Sequence, residues 1–90
     1  MLVGKTVQVN DSTATLIVDG TEIDGDYVVN LQSAFDTIIG GDDVSTVNGF
    51  GFNTTTTSPF PTQFTLQQGE KLYAVATSGT HYVGILLYNA

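Results

Sequence analysis

The chain has no cysteine, no tryptophan and no arginine, and only two lysines, one histidine and two prolines among its 90 residues. Without cysteine there are no disulfides to staple a small domain and no thiol nucleophile. A chain of this length buries only about 60–65% of its unfolded surface, so association with other copies or with a larger body is the natural remaining source of stability. Two lysines against nine acidic residues give a formal net charge of -7. A basic stripe able to displace the counterions of nucleic acid is therefore excluded, and anionic membrane surfaces are equally poor partners. No apolar run approaches the roughly 20 residues that span a bilayer. The start, Met1-Leu2-Val3-Gly4-Lys5, lacks the basic and long apolar regions of a signal peptide, so the reading expects a soluble chain not exported by that route.

What is present is β-forming. Thr, Val, Ile, Tyr and Phe account for 38 of the 90 residues, punctuated by ten glycines, and no stretch sustains a helical apolar period. Strands are expected near Lys5–Val9, Ala14–Val18, Tyr27–Leu31, Thr37–Ile39, Gln63–Leu66, Leu72–Thr77 and Tyr82–Tyr88. Between them lie Asp-, Asn- and Gly-rich breaks. This pattern predicts an all-β, single-domain antiparallel β-sandwich or small β-barrel of about seven to eight strands over residues 1–90. A long irregular loop is expected at 44–62.

The alternation assigns a core: Val7, Val9, Ala14, Leu16, Val18, Val29, Leu31, Ile38, Leu66, Leu72, Ala74, Val83, Ile85 and Leu87. The closing segment reads as a hairpin, with Leu72–Thr77 and Tyr82–Tyr88 joined by a Ser78-Gly79-Thr80 turn. Its second strand is apolar on both faces. Tyr82, Leu86 and Tyr88 form a stripe behind Val83, Ile85 and Leu87, which predicts burial of that stripe against another sheet or another subunit. In the long loop, Phe50, Phe52 and Phe60 either plug one end of the core or stand outward as aromatic anchors for a partner. Phe50, Phe52, Phe60, Tyr82, Leu86 and Tyr88 are thus the candidate interface residues.

Catalysis finds no footing. His81 has no nucleophile and orienting acid that the sequence places beside it, and no G-x-S-x-G elbow occurs. Asp19, Glu22, Asp24 and Asp26 sit within eight residues but do not follow the calcium-loop spacing, and they read as turn residues. Gly40-Gly41-Asp42-Asp43 reads as a turn as well, since paired-acid phosphate sites need basic neighbours. The Asn10-Asp11-Ser12 and Asn53-Thr54-Thr55 sequons carry little meaning without a secretion signal. Expected catalytic residues, metal ligands and cofactors are none.

Three segments recur in a recognisable order: Gly40-Gly41-Asp42-Asp43-Val44-Ser45-Thr46-Val47-Asn48-Gly49-Phe50-Gly51-Phe52, then Leu66-Gln67-Gln68-Gly69-Glu70-Lys71-Leu72-Tyr73-Ala74-Val75-Ala76, then Ser78-Gly79-Thr80. With the Val-rich opening from Thr6 to Val18, they resemble small tailed-bacteriophage virion proteins, although the stretch between Phe52 and Leu66 is longer than in that pattern. The resemblance implies a β-rich structural protein, foremost a capsid decoration or cement protein. Such a protein is commonly a homotrimer, made in the host cytoplasm and bound to the capsid exterior. Its implied partners are the major capsid protein and other copies of itself. A tail, neck or fibre component is the alternative within the virion. Outside it, a carbohydrate- or receptor-binding module using Phe50, Phe52, Asp42 and Asn48 remains open.

Overall fold

A computed structural model of the chain describes residues 2–22, 24–33, 35–52 and 62–89. Eight strands follow one another: β1 (Leu2–Asn10), β2 (Thr15–Asp19), β3 (Tyr27–Gln32), β4 (Thr37–Gly40), β5 (Phe50–Phe52), β6 (Thr62–Leu66), β7 (Lys71–Ala76) and β8 (Thr80–Asn89). A single 3-10 turn, Gly20–Glu22, follows β2. Seven strands fall where the alternation placed them, extended by a residue or more at one or both ends. β5 lies inside the segment read as irregular, because three residues with a glycine at their centre are too short to show a period.

The strands form two antiparallel four-stranded sheets. Sheet one has the order β1-β8-β3-β6 and sheet two the order β2-β7-β4-β5. Early strands pair with late ones, β1 with β8, β2 with β7, β3 with β6 and β4 with β5. This is the strand order of a double-sheet jelly roll. Every connection between successive strands except β4–β5 crosses to the opposite sheet.

That topology corrects the closing hairpin. β7 lies between β2 and β4 in sheet two, while β8 lies between β1 and β3 in sheet one. Residues 77–79 therefore arch over the core, with Gly79 at φ 70°. The alternation in both strands is as read, but alternation fixes which side chains share a face and leaves the neighbouring strand open.

The core fills the space between the sheets. Val9, Val18, Val29, Leu31, Leu72, Ala74, Val83, Ile85 and Leu87 are buried there as expected, with Val7 and Leu66 packed at its margin. Leu16 and Ile38 are corrections, and Ala14 lies half-buried just before β2, outside the core cluster. The register of β2 against β7 shifts between Leu16 and Val18, a bulge that turns both Ile17 and Val18 into the core. Leu16 is left on the outer face, 39% exposed. In β4 the inward residues are Thr37 and Ile39, and Ile38 is half-buried on the outer side. Thr37 hides the phase because its hydroxyl, wholly buried, bonds Ser33 Oγ at 3.0 Å and donates to the Phe35 carbonyl at 3.0 Å. A polar residue so satisfied occupies a core position at little cost.

Tyr27 is the largest fully buried side chain among the described residues. Its hydroxyl donates to the Glu70 carbonyl at 3.0 Å. Gly20 makes this possible, since a Cβ there would overlap the Glu70 carbonyl and approach the Tyr27 hydroxyl to 2.6 Å. Gly20 N also donates to Glu70 O at 2.8 Å. This tie joins the turn after β2 to the turn before β7.

Candidate functional site

The two outer faces of the sandwich differ. On sheet one, β8 turns Val83, Ile85 and Leu87 inward, so Tyr82, Gly84, Leu86 and Tyr88 face out. The register sets Gln8, Thr6, Gly4 and Leu2 of β1 beside them in that order. On the other side stand Gln32, Asn30 and Val28 of β3, followed by Gln63 and Thr65 of β6. None of these residues is charged. Gln63 Nε2 donates to Asn30 Oδ1 at 3.0 Å and to the Tyr88 hydroxyl at 3.1 Å. Tyr82 and Leu86 stay exposed, at 62% and 41%, and no other part of the described chain covers them. A shallow groove of about 340 Å3 runs over Gly84, flanked by Gln32, Asn30, Leu86 and Lys5.

Sheet two is covered on part of its outer side by its own chain. The connection from β4 to β5 is closed by backbone bonds from Ser45 N to Asn48 O (3.0 Å) and from Asn48 N to Ser45 O (3.2 Å). Val44 packs onto Gly40, and Gly49, at φ 145°, sits against Ile38 and Val44 so closely that a Cβ would stand 2.5 and 2.6 Å from their methyls. Val44 and Val75 are both buried outside the main core. The hairpin leaves Val47 93% and Phe50 63% exposed, beside the exposed polar residues Asp42, Asp43, Thr46 and Asn48.

Of the six candidate interface residues, Phe50, Tyr82 and Leu86 are exposed. Tyr88 is half-buried on the outer face with its hydroxyl engaged by Gln63. The Phe52 side chain and all of Phe60 lie outside the described residues. The six do not form one patch, since Phe50 belongs to an edge of sheet two and Tyr82, Leu86 and Tyr88 to the centre of sheet one. The stripe on β8 is neither under the second sheet nor polar. Val47 was not singled out by the sequence. It lies between Ser45 and Asn48, the residues that close the turn, and a lone valine there gives no periodic signal.

The carboxylates gather at one end. The strand registers bring the connections after β2, β4 and β6 together there, with Asp19, Glu22, Asp24, Asp26, Asp42, Asp43 and Glu70. These acids are turn-formers. Asp19 Oδ1 accepts from Thr21 Oγ1 at 2.6 Å and Thr21 N at 3.0 Å, and those bonds hold its carboxyl below the ordinary range. Asp26 Oδ1 accepts from Gln68 N at 3.4 Å, and the Asp24 carbonyl from Asn89 Nδ2 at 3.1 Å. Among the described residues no three His, Cys, Asp or Glu side chains converge on a point that could hold a metal ion. Asp42 and Asn48 share the hairpin with Phe50, and the Asn48 amide donates to the Asp43 carbonyl at 3.3 Å.

The opposite end is knitted by three connections. Asp11 Oδ2 accepts from Gly79 N at 3.0 Å, and the Asp36 carbonyl accepts from Thr77 N at 3.3 Å. His81 stacks on Phe35, with ring centroids 3.9 Å apart and planes 12° from parallel. Phe35 is held by the Ser33 and Thr37 hydroxyls through its carbonyl, at 2.8 and 3.0 Å. The histidine is thus a packing partner at this end.

No family model, no curated protein and no solved structure matches this chain.

Proposed function

We propose that this protein is a non-catalytic structural component of a tailed-phage virion, a decoration or cement protein that binds the capsid exterior and reinforces contacts between capsomers. The observation that carries the reading is the β4–β5 hairpin, which presents Val47 and Phe50 to solvent from a support pinned by the Ser45–Asn48 bridge and by Val44. Apolar side chains on a pre-ordered loop dock with little loss of conformational freedom, and aromatic anchors of this kind dominate contact energies. The surface charge is consistent with an outward position, because a chain of net charge -7 is repelled by packaged DNA. The jelly-roll arrangement serves viral capsid domains and lectin domains alike, so it supports the reading only by analogy.

The test adds purified chain to capsids that lack it and measures occupancy and rupture temperature. Saturable binding with a raised rupture temperature, weakened by Phe50→Ser without loss of the chain's own thermal midpoint, supports the proposal. A chain that neither binds capsids nor raises their rupture temperature contradicts it and favours a tail, neck or fibre role.

A further inference from the structure

We infer that the outer face of sheet one is a self-association surface, and that its occupant is the same face of a second copy of this chain. Three observations lead there. The first is charge. The face carries none of the nine carboxylates, and Lys5 at the edge of its groove is the one charged side chain beside it, although the chain as a whole stands at -7. Two copies meeting by their acidic ends, or by the sheet-two side that bears Asp19, would bring like charges together. Meeting by this face does not. A two-fold axis lying in the interface and running across the strands sets the acidic end of each copy over the less acidic end of the other.

The second is chemistry. Exposed Leu86 and Tyr82 stand on the central strand β8, bordered by the amides of Gln8, Asn30 and Gln32. An amide both donates and accepts, so an identical face supplies what this one needs, whereas a charged partner finds no counter-charge beyond Lys5 at the groove edge. The open groove over Gly84 receives a protruding ring from the facing copy. Sheet two offers no equivalent, because its own hairpin already closes part of its outer side.

The third is area. Four strands about 4.8 Å apart and roughly 25 Å long present about 500 Å2 each, or about 1,000 Å2 for a pair, the lower limit of a specific interface. A contact at that limit is expected to be weak and reversible. A two-fold contact gives pairs, whereas the family resemblance leads to an expectation of threefold assemblies. Sedimentation separates the two.

The experiment is sedimentation equilibrium on the full chain from micromolar to millimolar concentration, at low and high salt, without capsids. A monomer–dimer equilibrium that tightens with salt, as screening removes the repulsion between acidic copies, is the expected result. Leu86→Glu should weaken it by about tenfold or more, by facing two carboxylates across the contact. Leu16→Glu, at similar exposure on the other sheet, should leave it unchanged. Gln32→Glu serves as a second probe of the face if Leu86→Glu lowers the thermal midpoint. A monomer at millimolar concentration, an oligomer indifferent to both face variants, or a dimer that salt dissociates would overturn the inference. Capsids take no part, so failure to decorate particles leaves it standing, and a chain that decorates as a strict monomer defeats it alone.

Discussion

The two outer faces of this sandwich are built from similar strands and end in opposite conditions. Sheet two is partly closed by its own chain, with Val44 and Gly49 pressed onto Gly40 and Ile38, and Val75 is buried. Sheet one is open, and its side chains are neutral amides, hydroxyls, two tyrosines, Leu2, Val28 and Leu86. The difference shows how a jelly roll with little core treats its second pair of faces. One face adds to folding stability through local packing, and the other stays free for contact.

Glycine substitutions break this comparison most sharply. Gly49→Ala forces a side chain into a left-handed conformation and into the methyls of Ile38 and Val44. It should cost about 4 kcal/mol, measured by urea unfolding. Gly84→Ala on the open face meets nothing nearer than 3.8 Å, and should stay within about 0.5 kcal/mol or stabilise slightly, since glycine weakens a strand interior. Equal effects would mean that the hairpin does not close sheet two.

A smaller contrast lies across the β2 bulge. Ile17→Ala, at a core position 1% exposed, should cost about 3 kcal/mol, and Leu16→Ala less than about 1 kcal/mol. The reverse order would place the bulge elsewhere and restore strict alternation.

Tyr27→Phe should cost about 1 kcal/mol, the net value of one hydrogen bond to the Glu70 carbonyl. Burial first, then the Glu70 and Asp19 charges, raise the Tyr27 hydroxyl above its ordinary pKa of 10.0. A raised folded value means that this contribution is complete below the unfolded pKa near 10 and is lost as pH rises through the folded one. Alkaline melting curves should therefore fall above about pH 10 in the parent chain and fall less steeply in Tyr27→Phe.

The smallest stability effect belongs to the open face. Tyr82→Ser should shift folding by no more than about 0.5 kcal/mol in chemical denaturation. The same substitution should weaken self-association. A large folding defect would mean that Tyr82 is a packing residue and not a contact residue.

Much of this fold was legible in the residues. Period-2 alternation located seven strands, and the buried faces of β3 and β8 follow it throughout. What failed did so for physical reasons. Leu16 and Ile38 were misplaced because a bulge adds a residue to one strand and because a hydrogen-bonded Thr37 occupies a core position. The arch from β7 to β8 looks like a hairpin turn because short crossings and short hairpins use the same Ser and Gly residues. The apolar second face of β8 was visible, and so were Phe50, Tyr82 and Leu86 as candidates. Their division between two surfaces was not, since it depends on the pairing of β8 with β1 and β3 and of β5 with β4. Val47 stayed hidden because a lone valine between turns has no periodic context.

Hydroxyl-radical footprinting of the chain, first alone and dilute and then mixed with capsids that lack it, tests the central claim most directly. The account predicts that oxidation of Val47 and Phe50 falls sharply on mixing while Leu16, on the outer side of sheet two at 39% exposure, is labelled as before. Unchanged labelling of Phe50, or protection of Leu16 in its place, would contradict it.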